Sequence, residues 1–143
     1  MYATANDFIL RVGELQAIEL TDHKMLGEVN HAVLEMALAD SSSQIDGYLA
    51  ARYRLPLPSI PQNLTRLCCD LARYRLASMS SVAITDEIIE RYKLSLKELE
   101  WLASGKMSLG LDEVTTAEDN SEFSGAVFFT NHNNRVFRRD NQD

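Results

Sequence analysis

The sequence predicts an all-α fold: a small bundle of about four to five helices, followed by an extended C-terminal arm with the makings of a β-hairpin. Three observations predict it. Apolar residues recur at three- and four-residue spacing through three long segments, the period of one buried helical face. Each of those segments opens on residues that cap helices. Hydrophobic residues make up 45% of the 143 residues, enough for one core and little more than one domain. The division expected is a helical domain over residues 1–111 and an acidic linker with a C-terminal arm over residues 112–143.

The segment from Thr4 to Val12 reads as a short helix. Thr4 caps it, Asp7 places a negative charge in its first turn, and Gly13 ends it. Phe8, Ile9 and Val12 supply its apolar face. Glu14 to Leu20 reads as a second short helix, and residues 21–29 as a polar loop containing Gly27. Asn30 then caps a long helix, with Val29 and Leu34 placed for a hydrophobic staple. Leu34, Ala37, Leu38, Ile45, Tyr48 and Leu49 form its buried face, which Ser41, Ser42 and Ser43 weaken in the middle. Gly47 costs about 1 kcal/mol against Ala inside a helix, so a close neighbour is expected there.

Leu55-Pro56-Leu57-Pro58-Ser59-Ile60-Pro61 must be extended, because each residue before a proline is pushed out of the α region. Its leucines and Ile60 suggest that it lies on the core rather than serving as a Pro-rich recognition peptide. Ser59 and Gln62 fit a capping box with Pro61 in the first turn of the next helix. Leu64, Leu67, Cys68, Leu71, Ala72 and Leu76 give that helix a wide apolar face, the mark of a central element. Thr85 caps the last helix, which Asp86 and Glu87 follow and Gly105 ends. Its expected core stripe is Ile89, Tyr92, Leu96, Leu99 and Ala103. Leu94 and Trp101 lie nearly opposite that stripe at about 100° per residue, and this second apolar face suggests a partner protein.

After Leu111 the composition changes. Asp112, Glu113, Glu118, Asp119 and Glu122 have no basic residue among them and read as a solvated linker. Ala126-Val127-Phe128-Phe129 and Val136-Phe137 flank an Asn-rich stretch, a possible hairpin. A lone hairpin is marginally stable in water, so these aromatic residues suit another chain's sheet edge or groove. Arg135, Arg138 and Arg139 make the end locally basic and suit an acidic surface of a neighbouring subunit or a phosphate.

The net charge of −7 makes the chain a poor non-specific DNA binder, but it suits a wall past which DNA slides. Cys68 and Cys69 are adjacent, a spacing that bridges only under strain, so both read as reduced and buried. The N-terminal stretch does not read as a secretory leader, since Asp7 and Arg11 interrupt it, and no apolar run approaches the roughly 20 residues that span a bilayer. Gly105-Lys106 lacks the rest of a phosphate loop, since Glu100 and Met107 stand where that motif needs Gly and Ser or Thr. His23, His31 and His132 show no metal-ligand spacing, and no cofactor is expected. Asp46, Arg52, Asp70, Arg73 and Arg75 can be read as a carboxylate with an arginine clamp or, as preferred here, an ion-pair network between packed helices.

Several phrases are familiar together. Ile45-Asp46-Gly47-Tyr48-Leu49-Ala50-Ala51-Arg52-Tyr53 with Leu55-Pro56-Leu57, and Cys69-Asp70-Leu71-Ala72-Arg73-Tyr74-Arg75-Leu76, resemble the connector proteins of Mu-like phages and prophages. Tyr2-Ala3-Thr4, Tyr92, Leu99, Gly105-Lys106, Leu109-Gly110-Leu111 and Arg135-Val136-Phe137-Arg138-Arg139-Asp140 are similar too. The resemblance spans residues 2–111 nearly continuously, with a patch at the end. It implies a small helical head–tail connector subunit without catalytic residues, made in the bacterial host cytoplasm and placed in the virion neck. Such subunits form a ring, commonly twelvefold, beneath the portal protein. The implied partners are further copies of the chain, the portal, the next neck or tail component, and genomic DNA passing through the channel; no membrane is implied.

The expected protein interface comprises Leu94 and Trp101 on the last helix, and Val127, Phe128, Phe129, Arg135, Val136, Phe137, Arg138 and Arg139 on the arm. The alternatives are a small helical regulatory or protein-binding module, a neighbouring neck component such as a stopper or tail-end protein, and, third, an enzyme. A regulator binding DNA through its long helix calls for a basic face, and residues 31–53 offer none.

Overall fold

Local sequence signals place the helix ends in this computed structural model, which describes residues 1–114. The hairpin, the basic end and the arm residues from Val127 to Arg139 lie outside the described residues. Five helices make up the described part: α1 (Ala5–Val12), α2 (Glu14–Thr21), α3 (His31–Leu49), α4 (Gln62–Met79) and α5 (Asp86–Ser104). The bundle is all-α, as the sequence predicts. Met1–Glu113 is one compact unit.

Thr4 caps α1 in a reciprocal box. Its hydroxyl accepts from the Asp7 amide at 3.2 Å, and the Asp7 carboxylate accepts from the Thr4 amide at 2.8 Å. Gly13 takes a φ of +91° between α1 and α2, a conformation that disfavours any residue with a Cβ. Asn30 caps α3 by accepting from the Val33 amide, and Thr85 caps α5 by accepting from the Ile88 amide. Gly105 closes α5 in the left-handed region.

Helix α4 packs on all four others and is the centre of the bundle. Arg66 meets Glu98, Asp70 meets Ser95 and Arg73 meets Glu87, so α4 and α5 run antiparallel. The core gathers Phe8 from α1, Leu20 from α2, Leu34, Leu38, Ile45 and Leu49 from α3, Leu64, Leu67, Leu71 and Leu76 from α4, and Leu99 from α5, all fully buried. Each such leucine contributes about 1.5–3 kcal/mol by leaving water. Tyr74 and Tyr92 stack at 4.0 Å between ring centroids, joining α4 to α5.

The structure corrects five local expectations. The stripe of α5 is turned: Ile88, Ser95, Leu99 and Leu102 are buried, while Ile89, Tyr92, Leu96 and Ala103 are half-buried. The small Ser95 faces α4 and donates to Asp70, which draws this side of α5 inward. Ser41 and Ser42 belong to the packed face of α3 instead of weakening it. The Ser41 hydroxyl donates to the Ala37 carbonyl, and Ser42 accepts from the Tyr2 amide. Gly47 is exposed, and an added Cβ there would meet nothing within 4 Å, so no close neighbour sits on it among the described residues. Pro61 is the N-cap of α4 and no side chain caps that end, so Ser59 and Gln62 form no box. The residue before a proline resists the α region, which keeps Ile60 out of the helix. Finally, Leu55 and Leu57 pack on the core but Ile60 is exposed.

Candidate interface

Three surfaces carry the side chains that remain unexplained by the core. The first is the outer flank of α5. Leu94 is 57% exposed, and Trp101, one helical face with it, is half-buried beneath Lys97, whose ammonium lies 5.3 Å from the ring centroid. The buried stripe is centred about 120° from this pair, so Leu94 and Trp101 stand on the flank of α5 and not diametrically opposite its core.

The second is a cleft of about 310 Å³ between α5 and the α1–α2 pair. Four guanidiniums line it, those of Arg11, Arg66, Arg73 and Arg91, against the two carboxylates of Asp70 and Glu87. Arg66 reaches Glu98 at 2.5 Å and Asp70 at 3.5 Å, and Arg91 reaches Glu87 at 2.9 Å and Asp70 at 3.9 Å. Arg73 spans from Glu87 at 3.4 Å to the Gln16 amide oxygen at 3.0 Å. Burial raises the pKa of Asp70, while Arg66 and Arg91 act against that rise. Arg73 beside Glu87 holds the Glu87 carboxyl below its usual range. Arg11 has no ion-pair partner among the described residues, and the Arg73 Nε is buried without a hydrogen-bond partner there. Burial, then the neighbouring Cys68, pushes the Cys69 thiol in the cleft wall up to about 12, which removes its nucleophilicity at neutral pH.

The third surface lies at the end of α3, where Arg52 ties down the chain after α5. Its guanidinium donates to the carbonyls of Leu102 at 2.6 Å and Met107 at 3.1 Å, pairs with Glu113, and lies 3.4 Å from where a Cβ on Gly105 would stand. The Tyr53 hydroxyl accepts from the Leu109 amide at 3.0 Å. Glu113, read from sequence as part of a solvated linker, is thus held against the helical body, and its carboxyl is kept below the usual range chiefly by the Arg52 hydrogen bond. Helix α3 stops at Leu49, so Arg52 sits in the turn beyond it and not on the long helix.

The arginine-and-carboxylate set read from the sequence is therefore distributed. Asp70 and Arg73 share the cleft, Arg75 bonds Gln44 at 2.7 Å, and Asp46 accepts from the Tyr2 hydroxyl. These groups do not converge on one centre. Among the described residues no group of His, Cys, Asp and Glu is arranged to hold a metal ion, and no helix is long and apolar enough to cross a membrane. Sequence reasoning singled out Leu94 and Trp101, which the structure places on the flank of α5, but not the cleft. Its available signal was the spacing of Arg66 with Asp70 and Glu87 with Arg91, four residues apart in each helix.

The model of the family described as Bacteriophage Mu, Gp36 matches residues 2–127. Gene product J of Escherichia phage Mu is 38% identical over 122 residues, which cover 85% of this chain and 84% of that protein. Mu-like prophage FluMu protein gp36 of Haemophilus influenzae is 39% identical over 108 residues, 72% of this chain and 74% of that protein. With a family match running nearly the whole length of the helical body and two relatives of similar extent, the chain belongs to the Bacteriophage Mu Gp36 family.

Proposed function

We propose that this chain is a structural head–tail connector subunit, an adaptor that forms a ring below the portal of a phage neck and extends the channel through which DNA passes. It acts by assembly and not by catalysis. The observation that carries this reading is the apolar pair on α5. The helical body already buries a full core, yet it leaves Leu94 and half of Trp101 on its flank, beside a charged cleft. An aromatic anchor with a charged surround is the usual make-up of a protein interface. The acidic balance of the chain favours a wall that lets DNA slide past. In this reading Val127, Phe128, Phe129, Val136 and Phe137 reach onto a neighbouring subunit, the portal or the next ring, and Arg135, Arg138 and Arg139 meet acidic groups there. The test is genetic and morphological. A phage lacking this gene should accumulate DNA-filled heads and free tails that do not join, and resupplying the chain should restore particles. Intact virions formed without it would overturn the proposal.

A further inference from the structure

The exposed face of α3 differs in kind from the α5 side of the bundle. At about 100° per residue, Ala32, Met36, Ala39, Ser43 and Gly47 share one strip along α3, turned away from the core, with Glu35 and Asp40 on its two shoulders. All seven are exposed. Neither carboxylate has an ion-pair partner among the described residues, and α3 contains no Lys or Arg. The strip is thus narrow and acidic, with Met36 as its one large side chain, 48% exposed.

The arginine cleft has the opposite charge. Its four guanidiniums meet three carboxylates, Asp70 and Glu87 in the lining and Glu98 on Arg66, leaving Arg11 without an ion pair and the Arg73 Nε without an acceptor among the described residues. The two surfaces also lie on opposite sides of the molecule. On α4, Cys68 lies 3.5 Å from Ser42 of α3 and Arg75 bonds Gln44 of α3, whereas Arg66, Asp70 and Arg73 line the cleft. These two sets are roughly 170° apart around α4. At about 100° per residue, Leu94 and Trp101 lie roughly 50° around α5 from Glu87 and Arg91, the two residues that this helix gives to the cleft.

We propose that the exposed face of α3 on one copy of this chain docks onto the α5 flank and arginine cleft of the next copy. Glu35 and Asp40 then face Arg11 and Arg91, the small residues let α3 lie close, and Leu94 and Trp101 are covered. Opposite charge on opposite sides suits a head-to-tail ring, in which each copy offers two different patches that match. Gly47, whose missing side chain has no explanation among the described residues, has one at this contact.

This inference rests on the ring reading, and the experiment separates the two. Glu35→Lys with Asp40→Lys reverses the α3 face, and Arg11→Glu with Arg91→Glu reverses the cleft. Each double variant, made in the full-length chain and checked for unchanged helical circular dichroism, is mixed with portal protein and sized by light scattering. Each alone should lose the ring-sized complex at least tenfold in its population. A one-to-one mixture of the two should restore it, since the reversed faces match each other. Ala39→Trp, exposed in the single chain, should fold normally and also fail to assemble. Variants that assemble like the parent overturn the α3–cleft contact and leave the connector reading intact. So does loss of assembly without rescue in the mixture. A parent chain that forms no complex with portal overturns both.

Discussion

Replacing Arg52 tests how the chain beyond α5 is held. The side chain is 19% exposed and donates two charge-assisted hydrogen bonds, to the carbonyls of Leu102 and Met107. Hydrogen bonds to charged groups contribute about 1.5–3 kcal/mol each. The Leu102 carbonyl stands in the last turn of α5 and the Met107 carbonyl in the chain just beyond its cap, where water replaces part of the loss, so Arg52→Ala should cost about 2–3 kcal/mol in all, at or below the low end of the sum. The ion pair with Glu113 is solvent-facing and adds little. Urea denaturation followed by circular dichroism measures the total. Hydrogen exchange locates it: the Leu109 amide, bonded to the Tyr53 hydroxyl, and the Met107 amide, bonded to the Trp101 carbonyl, should lose protection first. Arg52→Lys should recover less than half of the loss, because an ammonium does not reproduce the planar fork that spans both carbonyls and Glu113. A loss below about 0.5 kcal/mol for Arg52→Ala, with Leu109 protection unchanged, would refute the reasoning.

Gly47→Ala should stabilise the free chain by about 0.5–1 kcal/mol, since the added methyl meets open space and removes glycine's entropy cost; destabilisation in a urea titration would contradict the exposed placement. Thr4→Ala should cost about 1 kcal/mol by opening the α1 cap. The Thr4 hydroxyl, and then its amide, hold the Asp7 carboxyl below its ordinary range. The stability this contributes is fully present above the ordinary value and is lost as pH falls through the lowered one, so Asp7→Asn should flatten part of the acid limb of a stability–pH curve. Asp70 has the opposite sign: its raised pKa means that the folded state binds the proton more readily, and that contribution falls as pH rises through the window. Neither Cys68 nor Cys69 should react with iodoacetamide at pH about 8 in the folded chain, because burial raises both thiols, and both should react once urea unfolds it.

The fold was legible wherever the signal was local. Thr4, Asn30 and Thr85 are caps because a short polar side chain can reach an amide two or three residues on, whatever the rest of the chain does. Gly13 and Gly105 end helices because their φ values exclude a Cβ. The central place of α4 followed from an apolar face too wide for one neighbour. What failed depended on tertiary partners. Ile88 replaces Ile89 in the buried stripe of α5 because Ser95 meets Asp70 across the helix pair, and periodicity ranks a serine as polar. Ser41 and Ser42 are buried because a backbone carbonyl and the Tyr2 amide satisfy them. At the candidate interface, Leu94 announced itself as an apolar residue off the stripe. The cleft did not, since Arg11 comes from a helix more than fifty residues from Arg66 in sequence. Periodicity places Arg52 on the long helix, and only the turn after Leu49 shows it as the tie that holds Glu113.

The most direct test of the central claim is the mass of the full-length chain alone and with its portal protein, measured by light scattering behind size exclusion. The account predicts a complex in which many copies of the chain join one portal ring, and its loss when Leu94→Asp places a charge on the α5 flank. A chain that stays a monomer over the whole concentration range, and elutes apart from the portal, would contradict it.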